Sequence, residues 1–393
     1  MARAVLFYKR LVALGGAEVL LAQHYSHLKM TGEAPIVICF EREDMERIDI
    51  DWDDLITVPG RSLFVRTFNL ARMLSEWRGS LFYCHSGHIE FGLAACLARI
   101  PYGVFLHQPT TMSFNETDKF AVRYWSRYKA FARHDAMFDS LCLKHAAMSL
   151  LKRLYVNLRA VISQAILKRA SALFVLSSYA VREKAEIFGL NTTYLAGAIP
   201  TERVTAMASK SSVRKIAKQI SLVSVSRLDR NKRIEILIEA IAELRRRGLE
   251  ANLKLGGRGP AMKELKELAC NLGVEDIVHF LGYVPESDIP ALYADMDLFV
   301  TIDWADYRIT TYEALAENRR VIVSDDTDAD SELLESGYLF TSHPDVTALA
   351  DVVEKALATP LRWESGHLAD YLTGFTWPVY FDRITEILRA RNA

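Results

Sequence analysis

The chain has no apolar run approaching the roughly eighteen residues that a membrane-crossing helix needs, so its sequence predicts no span. It is also poor in cysteine, with five in 393 residues: Cys39, Cys84, Cys96, Cys142 and Cys270. None falls in a CxxC pair or at metal-ligand spacing. Cys39 and Cys84 sit in apolar, strand-like runs, so buried thiols in a reducing compartment are expected rather than a disulfide framework. No excess of one charge exists: 48 Lys and Arg stand against 49 Asp and Glu, a net charge of −1. No global field therefore argues for nucleic acid, and no nucleic-acid reading motif occurs. Internal repeats and low-complexity tracts are absent, and no signal-peptide pattern precedes the first apolar strand, which sets the expectation of a cytoplasmic protein. Half of the residues are hydrophobic and a quarter charged, a globular composition. The length exceeds one ordinary core, so two domains are expected.

The most informative segment that is present is SLVSVSRLDRNKRIEILIEAIAEL, from Ser221 to Leu244. A buried-type strand breaks into a basic turn and then into a helix with Ile234, Leu237, Ile238, Ile241 and Leu244 at helical spacing. Arg227 and Lys232 thus stand where a strand end meets a helix N-terminus, a place suited to an anion because free N–H groups add to the side-chain charge. A surface turn with two solvated cations is the alternative. Downstream, ANLKLGGRGPAMKEL is a strand ending in a glycine turn, with Pro260 placed to open the next helix. HFLGYVPESDIPALYADMDLFVTI and TTYEALAENRRVIVSD continue the alternation of strands and helices that predicts a parallel sheet covered on both faces.

The series SRLDRNKR, GGRGP, FLGYV, YEALAENRRVIVSD and SELLESGYLF resembles the donor-binding domain of glycosyltransferase family 4, a family with the α/β GT-B fold of two facing Rossmann-like domains. The resemblance covers roughly residues 173–377 and continues more weakly into the N-terminal half. It implies an N-terminal acceptor-binding domain over 1–200, a nucleotide-sugar-binding domain over 201–376, an interdomain crossing near 197–218, and a terminal helix over 377–393 that returns to the N-domain. It also implies a retaining transfer of a hexose from a GDP- or UDP-sugar to a lipid-linked or cell-surface glycan, with no cofactor. By resemblance Arg227 and Lys232 hold the departing diphosphate, Gly15 and Gly16 approach it from the loop LGGAE, and His107 is the active-site histidine. Glu313 accepts from the ribose hydroxyls, Gly257 lies in the donor loop, and the backbone of Gly282 to Val284 tells guanosine from uridine. The acidic clusters at Asp295-Met296-Asp297 and in DDTDAD read as strand-flanking loops, so no metal site is expected.

One position departs from the family pattern. The first glutamate, expected eight residues before the second, is Ala305, and Arg308 stands where a glycine is expected. Asp306 beside it is read as taking over the sugar hydroxyls, a variation associated with lipopolysaccharide and exopolysaccharide branches and with mannose donors. A degenerate module that binds glycan or scaffolds an assembly, and a nucleotide-sugar epimerase of the same fold, are the alternatives. Residues 118–169 stand apart in composition: eleven Lys or Arg against three Asp, many aromatics and leucines, and no glycine or proline. One or two long basic amphipathic helices are expected there. Arg123, Trp125, Arg127, Lys129 and Arg133 would dock on an anionic membrane at the inner face of the cytoplasmic membrane, or the apolar side packs on the N-domain sheet.

Overall fold

The computed structural model describes residues 3–11, 16–42, 54–112, 117–132, 138–196, 199–208, 219–304, 309–326 and 328–392. Gly15, Arg133, Ala305, Asp306 and Arg308 lie outside them, so the expectations placed on those positions are neither met nor overturned. The chain divides into two units, Met1–Gly197 with Trp377–Ala393, and Ala198–Thr376.

The first unit holds strands β1 (Arg3–Leu11), β2 (Ala34–Arg42), β3 (Leu55–Thr57), β4 (Leu81–Cys84), β5 (Gly103–Leu106), β6 (Ala172–Val175) and β7 (Thr193–Tyr194). Their order in the sheet is β3-β2-β1-β4-β5-β6-β7 and every pairing is parallel. Helices connect parallel strands and cover both faces, which is why Ala4, Val5, Leu6 and Phe7 on the central β1 are all fully buried rather than alternating. Val5 lies between Ile36 and Phe82 in the register. The last helix, Trp377–Asn392, belongs to this unit because its apolar stripe has its partners here. Phe381 stacks on His24 at 4.4 Å, Leu388 meets the open face of Gly103, and Thr385 Oγ1 lies 3.2 Å from Tyr83 Oη.

The second unit holds β8 (Ile220–Val225), β9 (Ala251–Gly256), β10 (Val278–Gly282), β11 (Leu298–Thr301), β12 (Arg320–Ser324) and β13 (Leu339–Ser342), ordered β10-β9-β8-β11-β12-β13 and all parallel. Chain order reverses between β8 and β11, and open sheets of this kind bind ligands outside the strand C-termini at such a reversal. Ile234, Leu237, Ile238, Ile241 and Leu244 are all buried, so helix Ile234–Arg246 presents the stripe that its spacing predicts. Within the expected crossing at 197–218 the structure differs from a linker. Thr201–Ala208 is a helix with Val204 and Met207 buried, and it packs in the second unit against helices Ile309–Ala316 and Ser365–Thr373.

The basic segment also differs. It forms a short 3-10 turn Asp118–Phe120 and three helices, Val122–Ala132, Phe138–Ala146 and Leu150–Arg169, in place of one or two long ones. Its apolar residues divide: Phe120, Tyr124, Tyr128, Leu141 and Val156 are buried, whereas Leu150, Leu151, Leu154, Tyr155 and Leu158 are exposed. Trp125 is half-buried and stacks on His145 at 3.9 Å, which occupies the ring expected to enter a bilayer. Arg123 donates to Gln164 at 2.8 Å and Arg127 to the Ile187 carbonyl at 3.3 Å, so both tie this segment to its own unit.

Helix Leu150–Arg169 is seated by a glycine. A Cβ on Gly92, in helix His88–Ala98, would lie 2.1 Å from Ile166 Cγ2. A branched, buried side chain cannot yield that space without moving its helix. Gly92→Ala should therefore cost about 1–3 kcal/mol, read as a lower urea midpoint at unchanged slope, with the neutral control Gly366→Ala, whose added Cβ meets nothing within 4 Å.

Candidate functional site

In the second unit the turn after β8 and the loop after β9 cross at van der Waals distance. Gly257 has φ +130°, and a Cβ there would fall 1.8 Å from the Ser226 carbonyl oxygen. At Gly259 it would fall 2.2 Å from the Leu228 carbonyl oxygen. These glycines are required by the backbone of the turn that carries Arg227, whatever else approaches them. Gly257 N–H also donates to the Gly282 carbonyl at 2.6 Å, and Val284 packs on Gly256, so the ends of β8, β9 and β10 form one connected surface. Arg227 is exposed and holds Asp229 at 3.0 Å, an arrangement that leaves the guanidinium free to turn to another anion.

Lys232 is differently placed from a solvated cation. Its Nζ donates to Asp303 Oδ2 at 2.7 Å, and Asp303, buried just beyond β11, also accepts from Thr301 Oγ1 at 3.0 Å. Trp304 N–H donates to the Asn231 carbonyl at 2.8 Å. The two loops on either side of the chain reversal are thus joined by an ion pair and a backbone bond. Arg233, which the sequence reading passed over, is buried in the left-handed region (φ 49°) and donates to Asp326 and to the Ile302 carbonyl. Other acidic side chains are structural: Asp297 accepts from Ser221 N–H at 2.8 Å, and Asp330 caps helix Ser331–Ser336.

Glu313 lies on helix Ile309–Ala316 beside Arg203 of helix Thr201–Ala208, with 3.8 Å between Oε1 and Nη1. Burial pushes its carboxyl above the ordinary value, Arg203 pulls it back, and Glu286 adds to the rise. Arg203 makes no hydrogen bond through Nη1. It was not foreseen because its stretch reads as a polar linker; the apolar pair Val204 and Met207 three residues apart was the available signal.

In the first unit, Gly16 opens helix Gly16–Met30 and is exposed, with nothing within 4 Å of an added Cβ. His85 follows β4 and His107 follows β5, so both stand at the strand C-termini. They stack, at 5.7 Å, and line a cavity of about 220 Å³ to which helix Leu150–Arg169 contributes one wall. His85 Nε2 lies 3.0 Å from His24 Nδ1, and Phe105 stacks on His85 at 4.1 Å.

Residues 208–367 match the sequence pattern of the family described as glycosyl transferases group 1. The chain carries a group 1 glycosyl transferase domain. The Streptococcus pneumoniae alpha-monoglucosyldiacylglycerol synthase is 27% identical over 165 residues, 41% of this chain and 36% of that protein. A GDP-mannose-dependent alpha-(1-6)-phosphatidylinositol monomannoside mannosyltransferase of Mycolicibacterium smegmatis is 29% identical over 183 residues, 44% of this chain and 48% of that one. The chain therefore spans less than half the length of each of these relatives. Among solved structures, Anabaena HepE in complex with UDP is similar with a TM-score of 0.70 at 19% identity, covering 98% of this chain and 100% of that one. The fold is GT-B, and the strand orders of its two Rossmann-like units agree with that.

In the N-terminal GT-B unit, burial favours the neutral form of His24, His85 and His107. Burial lowers His24 and His85 well below the usual value and brings His107 down to about 4, with a hydrogen bond to the His85 backbone acting the other way.

These histidines bind protons less tightly folded than unfolded. The unfolded chain therefore takes up more protons below about pH 6.5, and this unit loses stability as pH falls through that value toward 4. From pH 7.5 to 5.5 the loss should be roughly 1 kcal/mol per histidine. Hydrogen-exchange protection of the β4 and β5 amides, corrected for intrinsic rates, should fall accordingly, and His107→Gln should flatten the dependence.

Proposed function

We propose that this chain is a retaining glycosyltransferase that moves a hexose, mannose favoured, from a GDP- or UDP-sugar to a lipid-linked or cell-surface glycan. The observation that carries the reading is the cationic surface at the chain reversal of the second unit, where Arg227 and the Lys232–Asp303 pair flank the ends of β8 and β11. A departing nucleoside diphosphate gains negative charge as the glycosidic bond breaks. Fixed cations and backbone N–H groups already in place stabilise that charge without reorganising, and they supply the countercharge without a resident metal. Asp303 holds the Lys232 ammonium in position, while two of its three protons remain for phosphate oxygens. Glu313, ionised, accepts from the two ribose hydroxyls, with Arg203 favouring the ionised form. Asp306 meets the sugar hydroxyls. Gly15, Gly16 and His107 keep, in this reading, the donor-binding and active-site roles that the family resemblance gives them.

Arg227→Ala should cost about 2–4 kcal/mol of transition-state stabilisation, roughly 30- to 1000-fold in turnover, with an unchanged melting temperature because the side chain is exposed. Lys232→Ala should lose turnover and stability together, since it leaves the buried Asp303 carboxylate without its partner. Glu313→Ala should weaken nucleoside diphosphate binding about tenfold or more, whereas Asp306→Ala should spare it and depress transfer. Calorimetric titration with GDP and UDP, alongside transfer assays with a panel of nucleotide sugars, measures both. Turnover with no donor in the unsubstituted chain would favour a degenerate binding module instead.

The acceptor is placed at an anionic membrane on the inner face of the cytoplasmic membrane. Support comes from the stripe Leu150, Leu151, Leu154, Tyr155 and Leu158, between 60% and 78% exposed, with Lys152 and Arg153 among them. Phe64, 82% exposed, and Leu97, 65% exposed, lie on helices Leu63–Glu76 and His88–Ala98, which adjoin one another and helix Leu150–Arg169 in turn. Such a surface enters the headgroup boundary with its apolar residues and holds anionic lipid with its cations, each worth about 1 kcal/mol. The triple change Leu151→Asp, Leu154→Asp and Leu158→Asp should abolish sedimentation with anionic liposomes and leave the melting temperature unchanged. Equal sedimentation of both proteins would remove the membrane from the reading.

A further inference from the structure

The pairing of β5 with β6 ends at Leu106 opposite Val175, and His107, Gln108 and Pro109 lead straight from there to Thr110 and Thr111. Thr111 is fully buried, so the backbone polar groups of this loop need partners within the protein. Charged side chains supply them. Glu183 accepts from both N–H groups, Thr110 at 3.0 Å and Thr111 at 2.5 Å. Lys119 Nζ donates to both carbonyls, each at 2.7 Å. Lys184 donates to Thr110 Oγ1 at 2.7 Å, and Thr111 Oγ1 lies 3.1 Å from Tyr179 Oη. Every polar group of the two threonines is thus taken up by a side chain.

Lys119 and Glu183 are fully buried and Lys184 is 4% exposed. Lys119 comes from the 3-10 turn Asp118–Phe120, whereas Tyr179, Glu183 and Lys184 come from helix Ser178–Glu186. Lys184 also pairs with Glu183 at 2.6 Å, and the Lys119 ammonium stands 5.6 Å from the ring centroids of Phe120 and Tyr128. Burying ions is a poor route to stability, because desolvation offsets much of what their attraction returns and apolar packing of similar volume often does as well. What these ions supply that apolar side chains cannot is position. Charge-assisted bonds to the N–H groups and to the carbonyls of adjacent residues leave the dipeptide one location and one orientation. His107 precedes it by only Gln108 and Pro109, and the ring of Pro109 fixes its own φ, so the link from the dipeptide to the histidine is short and stiff. The His107 ring stacks with those of His85 and Phe105 at 5.7 and 5.8 Å.

We infer that Glu183 and Lys119 are positioning residues for His107: by clamping Thr110 and Thr111 they fix where the chain leaves β5, and so where the His107 ring stands. Neither has to meet a substrate to do this. The inference rests on the reading of the chain as a glycosyltransferase with His107 in its active site, and adds to it what holds the histidine.

The test uses the full chain with isotopically labelled histidine, the His107 ring signal in NMR spectra being assigned by its loss in His107→Gln. Lys119→Met removes the ammonium and leaves the Glu183–Lys184 pair in place. Glu183→Gln keeps the shape but sets an amide NH2 against one of the two N–H groups. Tyr179→Phe is the control, since it removes the contact with Thr111 Oγ1 and spares the backbone contacts. In both clamp variants the His107 ring signal should move or split, while that of His27, on helix Gly16–Met30, keeps its place. Turnover number should fall about 100-fold, the scale of a roughly 1 Å misplacement. Affinity for GDP and UDP should change by less than about twofold, because Arg227, Lys232 and Glu313 belong to the second unit. Tyr179→Phe should lower the urea midpoint slightly and leave the ring signal and turnover as they were. An unmoved His107 signal in the folded clamp variants overturns the inference, and so does full turnover in a variant whose signal has moved. A loss of turnover in Tyr179→Phe as large as theirs overturns it as well. If neither clamp variant folds, the clamp serves the fold alone and the inference falls. Turnover with no donor in the unsubstituted chain would overturn the glycosyltransferase reading instead, and the ring signals by themselves would then decide the clamp.

Discussion

Every strand pairing in both units is parallel, so all strand C-termini of a unit lie along one edge, and that edge is where the chain must turn from strand to helix. The turns that result carry the chemistry. His85 and His107 follow β4 and β5, Arg227 follows β8, Gly257 follows β9, and Asp303 follows β11. At the chain reversal between β8 and β11 two such turns diverge, and the Lys232–Asp303 pair with the Trp304–Asn231 backbone bond joins them. A parallel sheet thus concentrates side chains distant in sequence without any of them being on a rigid element itself.

Electrostatics differ between the units in a way that suits two kinds of ligand. In the second unit an exposed guanidinium and a partly accessible ammonium stand at a strand edge, each beside its own aspartate, and at Glu313 burial raises the carboxyl while Arg203 acts against that rise. In the first unit burial removes charge: His24, His85 and His107 stay neutral, and the buried ions Glu183, Lys184 and Asp118 are matched one to one. A low-dielectric interior with matched ions suits uncharged groups, whereas cations that keep part of their surface in solvent stay accessible to phosphate.

Periodicity and turn chemistry were legible in the sequence because they are local. The stripe Ile234 to Leu244, the strand before Arg227 and the glycine loop GGRGP each follow from spacing and backbone sterics within a few residues, and all three stand as read. Partner identity was not local. Lys232 reads as a free cation until Asp303, 71 positions on, is brought to 2.7 Å. Trp125 reads as a membrane anchor until His145 stacks beneath it, and Arg203 reads as linker until Glu313 stands beside it.

The division has one physical cause. Hydrophobic spacing and glycine steric freedom act over a few residues, so the sequence by itself determined two α/β units, their buried stripes and the glycine turn at Gly257. Whether a charge is matched, a ring covered or a polar atom orphaned depends on what another segment places within about 3–4 Å. Only the tertiary structure decided that Phe120, Tyr124 and Tyr128 face inward while Leu150, Leu151, Leu154, Tyr155 and Leu158 face out, and that His85, His107 and Tyr124 line one cavity.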